Sequence, residues 1–345
     1  MKMTKELKKI VDDINKKAGK EVLITGDEIP VLKRITTGDI ALDAILGGGW
    51  PVGRFSEIIG EESHGKTTVM HKTVAANQAR DPKFTTLWVA AEPYDRDFAS
   101  DLGVDNSRVI IVDTNAAEEV YDIVLGMLES RQVDLVVIDS LPMLIPIAED
   151  EKDMEGNTVG QMARLNNKFF RKAEKAIHRD PKGDERSCTV LVINQWRMQI
   201  GVMHGDPRTT PGGKGKNFSF SVRLEVRRGE WREIGPSSSK VKVGMEIKAK
   251  TLKNKTAPPY QAAAFDFYFA DGGDVPMGEY DSAKSAHAVA SALGLLELKG
   301  AYIYYRDRNW NGKQRFIDSL REEIDLRAAL DNDILTAIQP AALAS

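Results

Sequence analysis

Short apolar runs recur along the chain from Ile35 onward, at Phe55–Ile59, Thr86–Ala91, Val109–Val112, Leu135–Ile138 and Thr189–Ile193, several of them separated by segments of helical periodicity. Continuous apolar runs of this length read as strands buried on both faces, and helices between them predict an α/β architecture with a mostly parallel central sheet. Ahead of the runs, Leu7, Ile10, Val11 and Ile14 fall at helical spacing among lysines and aspartates, Gly19 is a stop, and Val22 to Thr25 is a short apolar stretch. The pattern is that of a small helix-strand arm, which either packs on its own domain or docks on another subunit. Beyond Val275, Ser282–Leu296 and Ile317–Ala337 read as helices, with Tyr302, Tyr304, Tyr305 and Trp310 between them amid Arg306 and Arg308. The tyrosines fit core strand positions at least as well as a nucleic-acid surface. The pattern divides the chain into an arm (1–34), an α/β core (35–274) and a small C-terminal domain (275–345).

Parallel sheets place ligands beyond the carboxyl ends of their strands. Here those ends carry Gly60, Glu92, Asp139 with Ser140, and Asn194 with Gln195. The first opens Gly60-Glu61-Glu62-Ser63-His64-Gly65-Lys66-Thr67-Thr68, a phosphate-binding loop between a strand and a helix. Its glycines let the backbone N–H groups curl toward phosphates, Lys66 reaches the β/γ-phosphates, and Thr67 offers a hydroxyl to Mg²⁺. A glycine-rich turn without a ligand is the bland alternative, and the flanking strand and helix argue against it. Asp139, ending a hydrophobic strand, has the form of the acid that completes the Mg²⁺ shell opposite Thr67. Glu92, ending a different strand, is a carboxylate that beside a γ-phosphate would orient and deprotonate an attacking water, with a solvated strand-end glutamate as the bland alternative. Gln195, with donor and acceptor on one amide, is suited to sensing a γ-phosphate.

Composition narrows the field. The chain has 345 residues, 42% hydrophobic, and a formal charge of −3, so nucleic-acid binding would rest on local patches rather than on a global field. Cys188 is the single cysteine, which excludes an internal disulfide and fits a reducing cytoplasm. The charged N-terminus does not read as a secretory signal and no apolar run approaches a membrane span, so a cytoplasmic protein without membrane insertion is expected.

Two segments carry such patches. Arg197 to Lys216 is long and rich in glycine, with Arg197, Arg208, Lys214 and Lys216 against the single acid Asp206; it reads as a mobile loop suited to a polyanion, with Ile200 and Met203 available to pack on bases, and a disordered, solvated loop is the alternative. Glu149 to Thr158 is a second, acidic loop leading into a helix on which Arg164, Lys168, Arg171 and Lys172 form one basic face. A basic face of this kind is most often simply solvated.

These residues together resemble the RecA family of homologous-recombination ATPases, over nearly the whole chain. The matching stretches are Thr36-Thr37-Gly38 with Leu42-Asp43, the loop Gly60–Thr68, Ala91-Glu92, Leu102-Gly103-Val104-Asp105, Val133–Ser140, Ile193-Asn194-Gln195 with Arg197-Met198 and Ile200–Met203, Ser221–Leu224, and Lys253-Asn254-Lys255 with Ala257-Pro258. The resemblance implies a RecA-like ATPase core using ATP and Mg²⁺, an N-terminal polymerisation arm and a small α/β C-terminal domain that gathers duplex DNA. It also implies a helical homo-oligomeric filament on single-stranded DNA that exchanges strands with homologous duplex, with single-strand-binding and mediator proteins as partners. By the same resemblance Lys66 and Thr67 bind phosphates and metal, Glu92 is the catalytic carboxylate, and Gln195 couples the γ-phosphate to the second DNA loop. Asp95 and Phe98 match adenine-contacting positions. Val159, Arg164 and Arg171 align with the first DNA-binding region, and Arg197, Ile200, Gly212 and Gly213 with the second. Lys253 and Lys255, spaced to share one face of an extended strand, match residues that reach the neighbouring subunit's ATP, and Phe218 matches an interface aromatic.

The chain also departs from that pattern. The segment Pro93-Tyr94-Asp95 is one residue short; His64 stands where a small residue is common; His204, Arg208 and Pro211 replace aromatic, acidic and hydroxyl residues; and the strongly acidic tail of some members is not seen. Such divergence would suit a phage-encoded member. A RecA-fold helicase or branch-migration motor, and a regulatory filament serving as a platform for repressor cleavage, are the alternatives.

Overall fold

The computed structural model describes residues 3–19, 21–150, 160–177, 186–199 and 205–338. Val159, Ile200 and His204 lie outside them, as does most of the 149–158 loop.

Helix α1 (Lys5–Ala18) begins where the Thr4 hydroxyl accepts from Leu7 N and ends at Gly19, whose φ of 64° only glycine adopts readily. Leu7, Ile10 and Ile14 are exposed along it. The expected strand at Val22–Thr25 does not form. A strand needs a neighbouring edge for its backbone groups, and here the Asn15 side chain takes them instead: Oδ1 accepts from Val22 N at 2.9 Å and Leu23 N at 2.8 Å, and Nδ2 donates to Leu23 O at 2.8 Å.

The core is one eight-stranded sheet. Its strands are β1 (Phe55–Ile59), β2 (Thr86–Ala90), β3 (Val109–Val112), β4 (Leu135–Asp139), β5 (Thr189–Asn194), β6 (Phe220–Ile234), β7 (Val241–Asn254) and β8 (Ala262–Tyr268). The order is β8-β7-β6-β1-β5-β4-β2-β3, parallel from β6 through β3, with β7 and β8 antiparallel at one side. The mostly parallel sheet expected from the apolar runs is present, and the five runs coincide with β1 to β5 within a residue. The antiparallel β6–β7 pair was not legible, because its outer half is charged and exposed.

Side chains on successive strand residues point to opposite faces, and both faces are covered. Leu135 and Val137 join a cluster with Val69, Met70 and Trp88, in which α2 (Ile40–Leu46) and α3 (Lys66–Arg80) pack. Val136 and Ile138 join Phe55, Tyr121, Phe169 and Phe170, in which α5 (Ala117–Ser130) and α6 (Gln161–Ile177) pack; the intervening short helix α4 is Arg96–Asp101. A third cluster unites α7 (Ser282–Ala292), α8 (Lys313–Glu322) and α9 (Ile324–Ile338) with β10 (Tyr302–Tyr305) and β11 (Arg308–Asn311) of a small sheet whose third strand, β9 (Glu297–Lys299), is exposed. Ile40 of α2 enters that cluster, and Lys72 of α3 pairs with Glu279 at 2.8 Å. The single helix expected at Ile317–Ala337 is two. Glu323 is extended between them, and its carboxylate receives both Arg308 guanidinium nitrogens at 2.7 and 2.9 Å. No helix among the described residues is long and apolar enough to cross a membrane.

Candidate active site

The loop after β1 is shaped by close packing. A Cβ on Gly60 would meet Val226 O at 2.6 Å, and one on Gly65, at φ 84°, would meet Ile247 Cδ1 at 2.8 Å. Ser63 has a positive φ of 58°. These positions turn the chain so that α3 starts at Lys66 with its first N–H groups at the loop, as an anion-binding helix end requires. His64 lies in the loop with its Nδ1 buried and without a hydrogen-bond partner among the described residues, and burial lowers its pKa.

The strand ends converge through register. Ala90 pairs with Asp139, and Ile59 with Asn194. Thr67 Oγ1 donates to Asp139 Oδ2 at 3.1 Å, Glu92 N to Asp139 O at 2.9 Å, and Ser140 Oγ to Glu92 Oε1 at 2.6 Å. Asp139 and Ser140 are joined by a cis peptide bond. Burial pushes the Asp139 carboxyl up to about 7, the Glu92 charge adds to this, and Thr67 and Lys66 oppose it. The Lys66 ammonium donates to Glu61 O at 2.6 Å; burial lowers its pKa, while Glu92, Asp139, Glu62 and Glu61 pull it back up. One ammonium thus stands among four carboxylates, the arrangement of a site awaiting a cation on one side and phosphates on the other. The Thr67 hydroxyl and Asp139 carboxylate are hard oxygen donors that fit Mg²⁺, which keeps much of its water.

Asp95 caps α4, accepting from Asp97 N and Phe98 N at 3.0 Å each. Phe98 stands edge-on to His71, 5.9 Å between centroids, and His71 stacks on Trp88 at 4.4 Å. Burial drives the His71 pKa down to about 4. This aromatic nest under Phe98 had no counterpart in the sequence reading, since no spacing pattern joins residues 71, 88, 94 and 98.

Gln195 is half-buried, its N–H bonded to Asn194 Oδ1 at 2.9 Å. Behind it lies a buried polar network. Glu57, inside β1, accepts from Asn194 Nδ2 at 2.8 Å, Lys216 Nζ at 2.9 Å and Arg223 Nε at 2.6 Å, and Lys216 also donates to Thr210 Oγ1 at 2.7 Å. Lys216 and Glu57 are both fully buried. This corrects the expected basic excess of the second loop. Lys216 is turned inward, and Arg208 is engaged by Asp206 and Glu225 at 2.8 and 2.7 Å. Of the four bases, Arg197 and Lys214 are the exposed ones. Glu57 within the run Phe55–Ile59 was the available signal, because a carboxylate in a buried strand demands a buried cation.

Gly212 and Gly213 have φ of 93° and 86° and pack against α6, where the Gly212 carbonyl accepts from Asn166 Nδ2 at 3.0 Å. Arg164, Lys168, Arg171 and Lys172 are exposed on that same helix, opposite Phe169, Phe170 and Ala173. Lys253 and Lys255 are not brought to this chain's phosphate loop. Lys253 stands level with Glu57 in the middle of β1, and both ammonium groups point toward the segment ahead of Phe220, with Lys253 Nζ on Asn217 O at 2.6 Å and Lys255 Nζ on Phe218 O at 3.1 Å, whereas Gly60 follows the opposite end of β1. Burial, then the Lys255 and Arg223 charges, lowers the Lys253 pKa to about 8.

A phosphate loop feeding a helix, an acid closing the second strand over, and a carboxylate at the next strand end define a P-loop nucleoside triphosphatase on a parallel sheet. The model of the RecA N-terminal domain matches residues 5–274. Protein RecA of Nocardioides sp. is 38% identical over 96% of this chain and 91% of its own length; Protein RecA of Thermus aquaticus is 35% identical over 99% and 96%, and that of Chlorobaculum parvum 35% over 96% and 91%. The chain belongs to the RecA family, and as a member it is a DNA-dependent ATPase of recombination and repair.

Proposed function

We propose that this chain hydrolyses ATP at an interface between successive protomers of a helical filament on single-stranded DNA, and that the filament pairs this strand with homologous duplex. The observation that carries the reading is the convergence of Thr67, Asp139, Ser140 and Glu92, joined through hydrogen bonds of 2.6 to 3.1 Å, with the Lys66 ammonium within the field of Asp139 and Glu92. Mg²⁺, when bound, would neutralise phosphate oxygens, with Thr67 and Asp139 as the residues that hold it. Lys66 exchanges the Glu61 carbonyl for phosphate oxygens. The loop Gly60–Thr68 cradles the anion through its backbone, and Asp95 and Phe98 flank the base. Glu92, oriented by Ser140, accepts a proton from the attacking water.

Lys253 and Lys255 complete the neighbouring protomer's site, supplying positive charge where the transition state gathers negative charge. Their distance from their own phosphate loop supports this role. Docking between protomers draws on the exposed apolar stripe of α1 and on β3, an edge strand with Ile110 and Ile111 exposed. Single-stranded DNA engages Arg164 and Arg171 on α6, together with Val159, Arg197, Ile200, Gly212 and Gly213. The bacterial cytoplasm is its compartment.

ATP hydrolysis by the purified protein with and without single-stranded DNA, with Glu92→Gln as control, tests the reading. Strong stimulation that the variant loses is expected; no stimulation would turn the assignment toward another RecA-fold machine.

A further inference from the structure

Glu225 lies in β6 opposite Ile59, the last residue before the phosphate loop. Its side chain is 6% exposed, yet a single oxygen, Oε1, accepts three donors: Trp196 Nε1 at 3.0 Å, Arg208 Nη1 at 2.7 Å and Arg227 Nη2 at 2.8 Å. Two of them come from opposite stems of the second loop. Trp196 directly follows Gln195 on the outgoing stem, and Arg208 stands on the returning one, its guanidinium 4.6 Å from the centre of the Trp196 ring. The stems are also laddered, Arg197 with Thr209 and Met198 with Arg208, and Gln199 N donates to Pro207 O at 2.8 Å.

The indole is therefore held at its edge by a carboxylate and across its face by a cation. Neither bond tolerates much displacement, because hydrogen bonds weaken steeply with angle and a stacked guanidinium loses its contact once it slides off the ring. The Gln195 backbone N–H is held from the other side by Asn194 Oδ1 at 2.9 Å. A shift of Gln195 toward a bound phosphate must drag Trp196, and Trp196 must then carry both stems with it or break from Glu225.

We propose that Glu225 is a positioning residue that makes the two stems of the second loop answer together to the nucleotide site. Trp196 is the lever and Arg208 the tie to the returning stem. Arg208, absorbed in this clamp, serves coupling rather than phosphate contact. The inference rests on the reading of Gln195 as nucleotide sensor and of the 197–216 segment as a DNA loop.

The test compares the full-length protein with Glu225→Gln and Trp196→Phe, measuring affinity for a labelled oligothymidylate by anisotropy in ADP and in ATPγS. The unmodified protein should bind more tightly in ATPγS. Both variants should keep nucleotide affinity and ADP-state DNA affinity, while the ratio between the two nucleotide states shrinks at least about fivefold. Because the chain has five tryptophans, the emission of Trp196 is read as the difference between the unmodified protein and Trp196→Phe, and it should change between ADP and ATPγS. An unchanged ratio in both variants overturns the inference alone, and so does equal loss of DNA affinity in both nucleotide states, the mark of a merely structural role. A ratio of one in the unmodified protein would sink the underlying reading as well.

Discussion

The Ser140 hydroxyl donates to Glu92 Oε1 at 2.6 Å across the ends of two adjacent strands, so the carboxylate is aimed before any nucleotide arrives. Removing the hydroxyl leaves the acid in place but free to turn. Ser140→Ala should lower DNA-stimulated kcat by about tenfold, the worth of one hydrogen bond to a charged group, with little change in the KM for ATP. Glu92→Gln should lower kcat by about 10² to 10⁴ while ATP still binds, as loss of a general base does. Steady-state hydrolysis with single-stranded DNA separates the two.

Lys253 and Lys255 contact carbonyls of their own chain far from its phosphate loop. The double variant Lys253→Ala with Lys255→Ala should therefore bind nucleotide as a monomer much as before, yet lose DNA-stimulated turnover by on the order of a thousandfold. Normal stimulated turnover in that variant would remove the lysines from the mechanism.

Asp39 caps α2 through Ala41 N and Leu42 N at 2.9 and 3.2 Å and is buried beneath the C-terminal domain, near Ser285. Burial raises its carboxyl to about 6, against which the Ser285 and helix N–H contacts act. The native state thus holds this proton more tightly than the unfolded chain does. Stability from this group is present below the unfolded value near 4 and is lost as pH rises toward 6. Asp39→Asn keeps the capping oxygen and removes the charge. It should stabilise the protein by up to about 3 kcal/mol at pH 7.5, the gain fading toward pH 4, as read from urea unfolding at the two pH values.

Arg197 and Lys214 are the exposed bases of the second loop. Each replaced by alanine should reduce the slope of log K against log salt for single-stranded DNA by about 0.7, one phosphate contact apiece. Unaltered slopes in both variants would place the phosphates elsewhere, and the exposed arginines of α6 would be the next to test.

What could be read from the chain was whatever one strand or one loop determines by itself. The runs Phe55–Ile59 through Thr189–Ile193 are buried on both faces and so announce themselves, and the phosphate loop is a local backbone device. What could not be read depends on contacts between distant segments. Lys216 sits in a glycine-rich, basic stretch that looks solvated, and nothing nearby names Glu57, 159 positions away, as its partner. Trp196, Arg208 and Glu225 likewise meet only because β6 lies beside β1. Val22–Thr25 is not a strand within this single chain, where the Asn15 side chain takes the backbone groups of Val22 and Leu23.

If Lys253 and Lys255 complete the neighbouring protomer's site, as proposed above, their separation from Lys66 has a genetic consequence. A site assembled from the loop of one molecule and the lysines of the next is inactivated by either kind of lesion, but the two lesions spoil different sites. Chains carrying Lys66→Ala are blank at their own loop and still donate good lysines; chains lacking Lys253 and Lys255 have a sound loop and give nothing to their neighbour. In a head-to-tail row grown from an equal mixture, roughly a quarter of the junctions pair a sound loop with sound lysines by chance alone. Two dead proteins, mixed, should hydrolyse ATP.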